Sequence, residues 1–154
     1  MSTPTKTSST QSRTQRTGDA VVRFLLRSPL HRLVSGKLLI ITVTGRKTGR
    51  EYANPVGYAE HDGHILIGSA ARWHRNLRPG TPARIRLRGK DIQADPEVIT
   101  DEARAADLYR AILTRNPVHG RFAGIALNPD GNVNLDDLRR ALSTGTAVVR
   151  LRPL

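Results

Sequence analysis

From residue 38 onward, hydrophobic and polar positions change over in short blocks, a pattern that predicts a strand-rich domain. Leu38 to Thr44 (LLIITVT) is apolar and β-branched, too short for a good helix and closed by Gly45, so it reads as a buried strand. The segment Gly45-Arg-Lys-Thr-Gly49 then supplies turn glycines. Arg50 to Glu60 extends onward through Pro55, whose missing N–H suits an edge or a bulge. His61-Asp62-Gly63 predicts a second turn, His64 to Gly68 a strand, and Arg72 to Leu77 a helical turn before Arg78-Pro79-Gly80. Between Ala83 and Arg88 the arginines at 84, 86 and 88 alternate with Ile85 and Leu87, which places three guanidiniums on one strand face. Gly89-Lys90 turns the chain back into Asp91 to Ile99.

Helical periodicity is confined to three places. Asp19 can cap a helix bearing Val21, Val22, Phe24, Leu25 and Leu26, interrupted at Ser28-Pro29 before a short turn with Leu30, Leu33 and Val34. Thr100 is the expected N-cap of a longer helix to about Arg115, with Asp101 and Glu102 where the helix dipole favours acids. Asn116-Pro117 ends it, a loop-rich segment is expected next, and Asn134 caps a short helix through Leu142. A last strand, Thr146 to Leu151, follows Gly145. The sum is an α+β domain of about six mainly antiparallel strands with flanking helices, its sheet curled into a small barrel. Residues 1–17 are almost wholly Ser, Thr, Gln and basic, and are expected to form a disordered tail ahead of a single domain over 18–154.

Composition narrows the chemistry. The chain has 154 residues and no cysteine, which excludes disulfide scaffolds, Cys-ligated zinc, iron–sulfur clusters and thiol nucleophiles. Its net charge of +12 is unevenly placed. Residues 1–37 carry seven basic and one acidic group, 38–90 ten and three, and 91–154 eight and nine. A positive field over the first ninety residues favours an anionic partner: a phosphorylated cofactor, nucleic acid or an anionic membrane. No run of 18 apolar residues crosses a membrane, and the reading expects a cytoplasmic protein. The amphipathic N-terminal stretch, with Arg23, Arg27 and Arg32 along it, is the candidate for peripheral membrane contact.

Familiar constellations can be set aside. Gly45 to Gly49 is no Walker loop, because Arg50-Glu51 stands where Lys-Ser/Thr is required. His61 and His64 flank Asp62 in a turn signature rather than a metal site, and no metal is expected. Asp130, Asn132, Asn134 and Asp136 have the alternation of a calcium loop without the glycine required at its fixed position or the terminal Glu. No nucleophile elbow or carboxylate pair offers hydrolytic machinery. Two features remain. In the turn Thr44 to Arg50, two glycines let backbone approach a ligand while Arg46, Lys47 and Arg50 offer charge for phosphate or carboxylate. The second is Ser69 to Leu77, where Trp73, His74, Arg75 and Asn76 form the densest aromatic and polar group; taken alone, Trp73 reads as a core plug.

In these two places the sequence resembles a known family. Thr44-Gly-Arg-Lys-Thr-Gly49, Asn54-Pro55-Val56, Trp73-x-x-Asn76-Leu77 and the closing Val149-x-Leu151-Arg152-Pro153 are similar to the deazaflavin-dependent nitroreductases. These are actinobacterial proteins that use coenzyme F-420 on a split β-barrel related to the pyridoxamine-phosphate oxidases. The resemblance implies a cofactor whose phosphate and oligoglutamate tail lies on Arg46, Lys47 and Arg50, within the turn that includes Thr48 and Gly49. It also implies a ring near Pro55, Gly68 and Ser69, with Trp73 and Asn76 in the same site. Catalysis would then ask little of side chains, since the cofactor carries the hydride and the protein orients it and excludes water. The chain departs from the family pattern in a shorter loop before Trp73, in Tyr52 where Arg is common, and in Val118, His119 and Phe122 where tyrosines are usual.

The resulting expectation is a deazaflavin-dependent oxidoreductase acting on a small apolar acceptor such as an enone, quinone or nitro compound. A non-catalytic binder of lipid, FMN or haem on the same barrel is the alternative, with FMN the second choice of cofactor. A basic barrel for nucleic acid, using Arg84, Arg86 and Arg88, is not expected, because six aromatics are few for a stacking platform.

Overall fold

The structure, a computed structural model, describes residues 38–154; the expected tail and the helix from Asp19 lie outside the described residues. Its strands are β1 (Leu38–Thr44), β2 (Glu51–Gly57), β3 (Ala59–His61), β4 (His64–Ser69), β5 (Ala83–Leu87), β6 (Lys90–Ile99) and β7 (Ala147–Pro153). A short 3-10 helix spans Arg72–Asn76, and three α-helices follow: α1 (Glu102–Arg115), α2 (Pro117–Ala123) and α3 (Leu135–Ser143).

All seven strands form one antiparallel sheet in the order β2-β1-β5-β6-β7-β4-β3. The two terminal strands of that order, β2 and β3, are separated in the chain by Tyr58 alone. A sheet whose ends are joined by one residue has to curl until they meet, which is the split barrel expected from the sequence. Along the seam β2 touches β4 without pairing to it, and β3 pairs only with His64 to Leu66. Ile67, Gly68 and Ser69 therefore have a strand, β7, on one side only among the described residues.

Side-chain alternation sorts two cores. Leu39, Ile41 and Val43 of β1 join Ile65, Ile67, Ile85, Val149, Leu151 and Trp73 inside the barrel. Leu66 and Val148 point the other way, toward Ala105, Tyr109, Ile112 and Leu138 of the helices. β4 and β7 are thus covered on both faces, which explains why they read as continuous apolar runs.

Three expectations need correction. The strands number seven rather than about six, because the segment from Arg50 to Glu60 breaks at buried Tyr58 where the chain passes from one edge of the sheet to the other. The cap of α1 is Asp101, whose carboxylate accepts from the Arg104 N–H at 3.0 Å, not Thr100. The loop expected after Pro117 is helix α2, with Pro at its start, where its missing N–H costs no bond, and Gly124 at φ 67° closing it. Pro55 does occupy an edge strand, opposite Ile40. Asn134 caps α3 by accepting from the Asp137 N–H at 3.0 Å.

Candidate functional site

The basic turn joins β1 to β2 and is closed by its own backbone: Gly45 N–H donates to the Arg50 carbonyl at 2.7 Å and Gly49 N–H to the Gly45 carbonyl at 3.0 Å. Gly49 has φ 67°, a conformation other residues adopt at a cost. At Gly45 the constraint is space. A Cβ there would sit 2.9 Å from Cε2 of Tyr52, so the Tyr52 ring packs over the turn. The Thr48 hydroxyl accepts from the Arg50 N–H at 3.3 Å and lies 3.4 Å from the Tyr52 hydroxyl.

The second motif comes to meet it. Ser69 ends β4, and its Oγ accepts from the Ala71 N–H at 3.1 Å, bending the chain into the 3-10 helix. Trp73 is buried in the barrel core, with its ring edge-on to that of His74 at 6.2 Å, so the reading of Trp73 as a plug holds. Two hydrogen bonds then tie the helix to the turn: Arg46 N–H donates to Asn76 Oδ1 at 3.3 Å, and the Arg46 guanidinium donates to the Leu77 carbonyl at 3.4 Å. Residues thirty positions apart in the chain thus form one corner at the end of the seam.

Charge is sorted around that corner. Many arginines elsewhere have acids beside them: Arg84 with Glu51, Arg86 with Asp91, Arg88 with Glu60, and Arg104 and Arg150 both with Glu97. Arg46, Lys47 and Arg50 in the turn, and Arg72, Arg75 and Arg78 on and after the 3-10 helix, make no ion pair with any described carboxylate. The segment 1–37 contains a single acid, Asp19, so it cannot compensate six cations. The face formed by Arg84, Arg86 and Arg88 is a row of ion pairs, while the corner is an unneutralised positive pole.

The ten expected site residues fall into three places. Arg46, Lys47, Thr48, Gly49, Arg50 and Asn76 build the corner, Trp73 lies beneath it in the core, and Pro55, Gly68 and Ser69 sit on the two strands that flank the seam. Gly68 has a further role that was not anticipated. A Cβ on it would collide with the Tyr109 hydroxyl and lie 2.6 Å from His119 Nε2. Both of those atoms are buried without a hydrogen-bond partner among the described residues. Burial raises the Tyr109 pKa and lowers that of His119, so both are neutral near pH 7. Burial also lowers the pKa of His74, with the neighbouring charge of Arg75 adding to it. The seam is thus backed by uncharged groups, and its end carries the cations.

Sequence reasoning picked out Arg75 but missed Arg72 and Arg78, although their spacing of three from it was visible, and Tyr109, which reads as an ordinary core residue of α1. At the tip of the β3–β4 hairpin, His61 Nε2 lies 3.2 Å from the Asp62 carboxylate, and His64 Nδ1 lies 2.8 Å from the Asp62 carbonyl. A separate groove of about 480 Å³ lies between α2 and its neighbours, lined by Pro117, Gly120 and Arg121 with Leu113 of α1, Ile125 and Asp137 of α3, and none of the ten expected residues lines it.

Comparison with known proteins gives the family. Residues 10–124 match the model of the F420H(2)-dependent quinone reductases. The chain belongs to that family. No curated protein matches the sequence. Among solved structures, a candidate 5-nitroimidazole antibiotic resistance protein from Bacteroides thetaiotaomicron is similar over 93% of this chain and 80% of its own, at 9% identity and TM-score 0.51. A protein of unknown function from Agrobacterium tumefaciens is similar over 79% of this chain and 50% of its own, at 15% identity and TM-score 0.52. An F420 reductase aligns over 82% of this chain and 94% of its own, at 14% identity and TM-score 0.43. At such identities the first two likenesses speak for the fold. No helix among the described residues is long and apolar enough to cross a membrane.

Proposed function

We propose that this chain is a deazaflavin-dependent oxidoreductase that passes a hydride from reduced coenzyme F-420 to a small apolar acceptor, a quinone, enone or nitro compound. The observation that carries the reading is the unneutralised corner at the end of the barrel seam, in a chain that belongs to the F420H(2)-dependent quinone reductases. An anionic cofactor tail supplies the counter-charge that the protein itself withholds from Arg46, Lys47 and Arg50.

The seam suits the rest of such a cofactor. β2 and β4 lie side by side without ladder hydrogen bonds, so Pro55 on one strand and Gly68-Ser69 on the other can border a flat ring. The ring's place is at this strand edge rather than on the helix-facing side of Gly68, where Tyr109 and His119 already fill the space. When bound, the deazaflavin supplies the hydride chemistry. The protein's part is to hold the tail at the corner, fix the ring in the seam and keep water from it with the buried Ile65, Ile67 and Trp73. The acceptor is an apolar molecule because the seam is bounded by an apolar core and backed by neutral groups.

The test is a fluorescence titration of the purified full chain with oxidised deazaflavin and, separately, with FMN, followed by oxidation of the reduced deazaflavin in the presence of a quinone, an enone and a nitroaromatic. Saturable deazaflavin binding with turnover of at least one acceptor is the expected result. Binding of FMN alone, or deazaflavin binding without turnover of any acceptor, would replace this reading with that of a binder on the same barrel.

A further inference from the structure

β1 is apolar on both faces, LLIITVT, yet only one of them is packed in a core among the described residues. Leu39, Ile41 and Val43 point into the barrel. Leu38, Ile40 and Thr42 point outward, and the register sets Gly57, Pro55 and Ala53 of β2 directly opposite them on the same face. Leu38, Ile40 and Ala53 are half-buried and belong to neither core. The helices on the outside of the sheet pack chiefly on β3, β4 and β7. Strands that read as continuous apolar runs are the ones a fold buries on both sides, as it does β4 and β7.

The patch has clear limits. On β5 the same outer face carries Arg86 and Arg84, opposite Ile40 and Thr42, and these reach Asp91 and Glu51. Beyond β2 the sheet ends at the seam. The uncovered apolar strip is therefore about two strands wide and runs along β1.

The chain itself brings a cover of that shape. Only Ser35-Gly36-Lys37 separates Val34 from Leu38, and Gly36 permits a sharp reversal there. Before it, Val22, Leu25, Leu26, Leu30 and Leu33 recur at helical spacing, with Arg23 and Arg27 off that stripe. Even with the break expected at Ser28-Pro29, residues 21–34 at helical rise span about 21 Å, against about 23 Å for the seven residues of β1. The family match begins at residue 10 and so takes in this segment. A cover tethered by three residues has an effective concentration on the order of millimolar, an advantage that a second copy of the chain lacks.

We infer that residues 21–34 fold back over the outer face of β1 and β2 and bury Leu38, Ile40 and Ala53, leaving the seam edge of β2 open. The apolar stripe of the segment then serves the barrel rather than a membrane surface. The inference concerns the outside of the sheet and stands or falls apart from the cofactor.

The chain has no cysteine, so one introduced thiol reports on one position. The experiment compares the rates at which a water-soluble maleimide labels Ile40→Cys and Val98→Cys in the full chain, Val98 being an exposed position on β6. Ile40→Cys should react at least about tenfold more slowly, the mark of a site reached only by local opening. Adding Leu25→Ser/Leu26→Ser to the same chain should remove most of that protection and leave the rate of Val98→Cys unchanged, which also shows that the barrel is intact. Ala53→Cys gives the same readout should Ile40→Cys not fold.

Comparable rates at the two positions in the full chain overturn the inference, as does protection that survives Leu25→Ser/Leu26→Ser. Protection that fades on dilution, as a dimer gives way to monomer, assigns the face to a second copy and overturns it as well. Protection should persist when vesicles of phosphatidylglycerol are added; its loss would give the segment to the membrane instead.

Discussion

The Tyr109 hydroxyl lies where a side chain on Gly68 would have to go, and His119 Nε2 shares that space. Gly68 is therefore fixed by the helices behind the sheet. Gly68→Ala should destabilise the fold by roughly 1–3 kcal/mol, the usual cost of overpacking a core. Tyr109→Phe removes a buried hydroxyl that has no partner among the described residues, so it should be neutral or stabilising. Because the new methyl would meet the hydroxyl first, combining the two changes should cost less than their sum. Chemical denaturation of the two single variants and the double variant measures this; strict additivity would mean that the Tyr109 hydroxyl is not what excludes a side chain at Gly68.

A pH dependence follows from the same place. Burial lowers the His119 and His74 pKa values below the ordinary 6.5, so the folded chain stays neutral at positions where the unfolded chain takes up protons. As pH falls through 6.5 the unfolded state gains protons first, and stability declines until the lower folded values are reached. Above about pH 7.5 neither histidine contributes any slope. Glu97, held below its usual range chiefly by the Arg104 hydrogen bond, acts only near and below pH 4.5 and leaves this window clear. Urea midpoints between pH 7.5 and 5 should fall, and His119→Gln should reduce the slope. An unchanged slope in that variant would show that His119 takes up protons equally in both states.

The neutralised arginine row makes a contrasting forecast. Arg84 and Arg86 are half-exposed partners of Glu51 and Asp91, and pairs of this kind contribute about 0–1 kcal/mol. Arg84→Ala/Arg86→Ala should leave both deazaflavin affinity and melting temperature close to wild type. Tight binding of single-stranded DNA at physiological salt, abolished by the double variant, would instead restore the nucleic-acid reading that the ion pairs argue against.

Most of the barrel was legible because its strands follow period two and its turns announce themselves: Asp62-Gly63 adopts positive φ where a turn is expected, and the turn expected at Gly89-Lys90 falls one residue earlier, at Arg88-Gly89. Where legibility failed, local and long-range signals conflicted. The break at Tyr58 is marked only by Gly57, a weak signal within a strand-like run; it arises because β2 and β3 belong to opposite ends of the sheet, a property of the whole topology. Pro117 was readable as the end of one helix, yet the same ring also starts the next. The two motifs of the site were each visible, but the bonds from Arg46 to Asn76 and Leu77 span thirty residues and leave no trace in local pattern. The missing acids around Arg72, Arg75 and Arg78 could be found only once the partners of the other arginines were known.

Arg46 and Lys47, adjacent in the sequence, should separate in experiment. The Arg46 guanidinium donates to the Leu77 carbonyl and its N–H to Asn76, so it fastens the turn to the 3-10 helix as well as carrying charge. Lys47 makes no such bond among the described residues and is exposed. Lys47→Ala should therefore leave the melting temperature unchanged while weakening deazaflavin by about tenfold, the loss of one charge-assisted contact of roughly 1.5 kcal/mol. Arg46→Ala should weaken the cofactor at least as much and also destabilise the fold by about 0.5–1.5 kcal/mol, the net worth of an ordinary hydrogen bond. Asn76→Ala isolates the fastening from the charge: it should reproduce the stability loss and weaken binding only a few-fold, because every cation remains. Titration calorimetry and thermal melts of the three variants decide the matter. If Asn76→Ala and Lys47→Ala behave identically, the corner is not held by Arg46. If all three bind deazaflavin as the wild type does, the tail is held elsewhere.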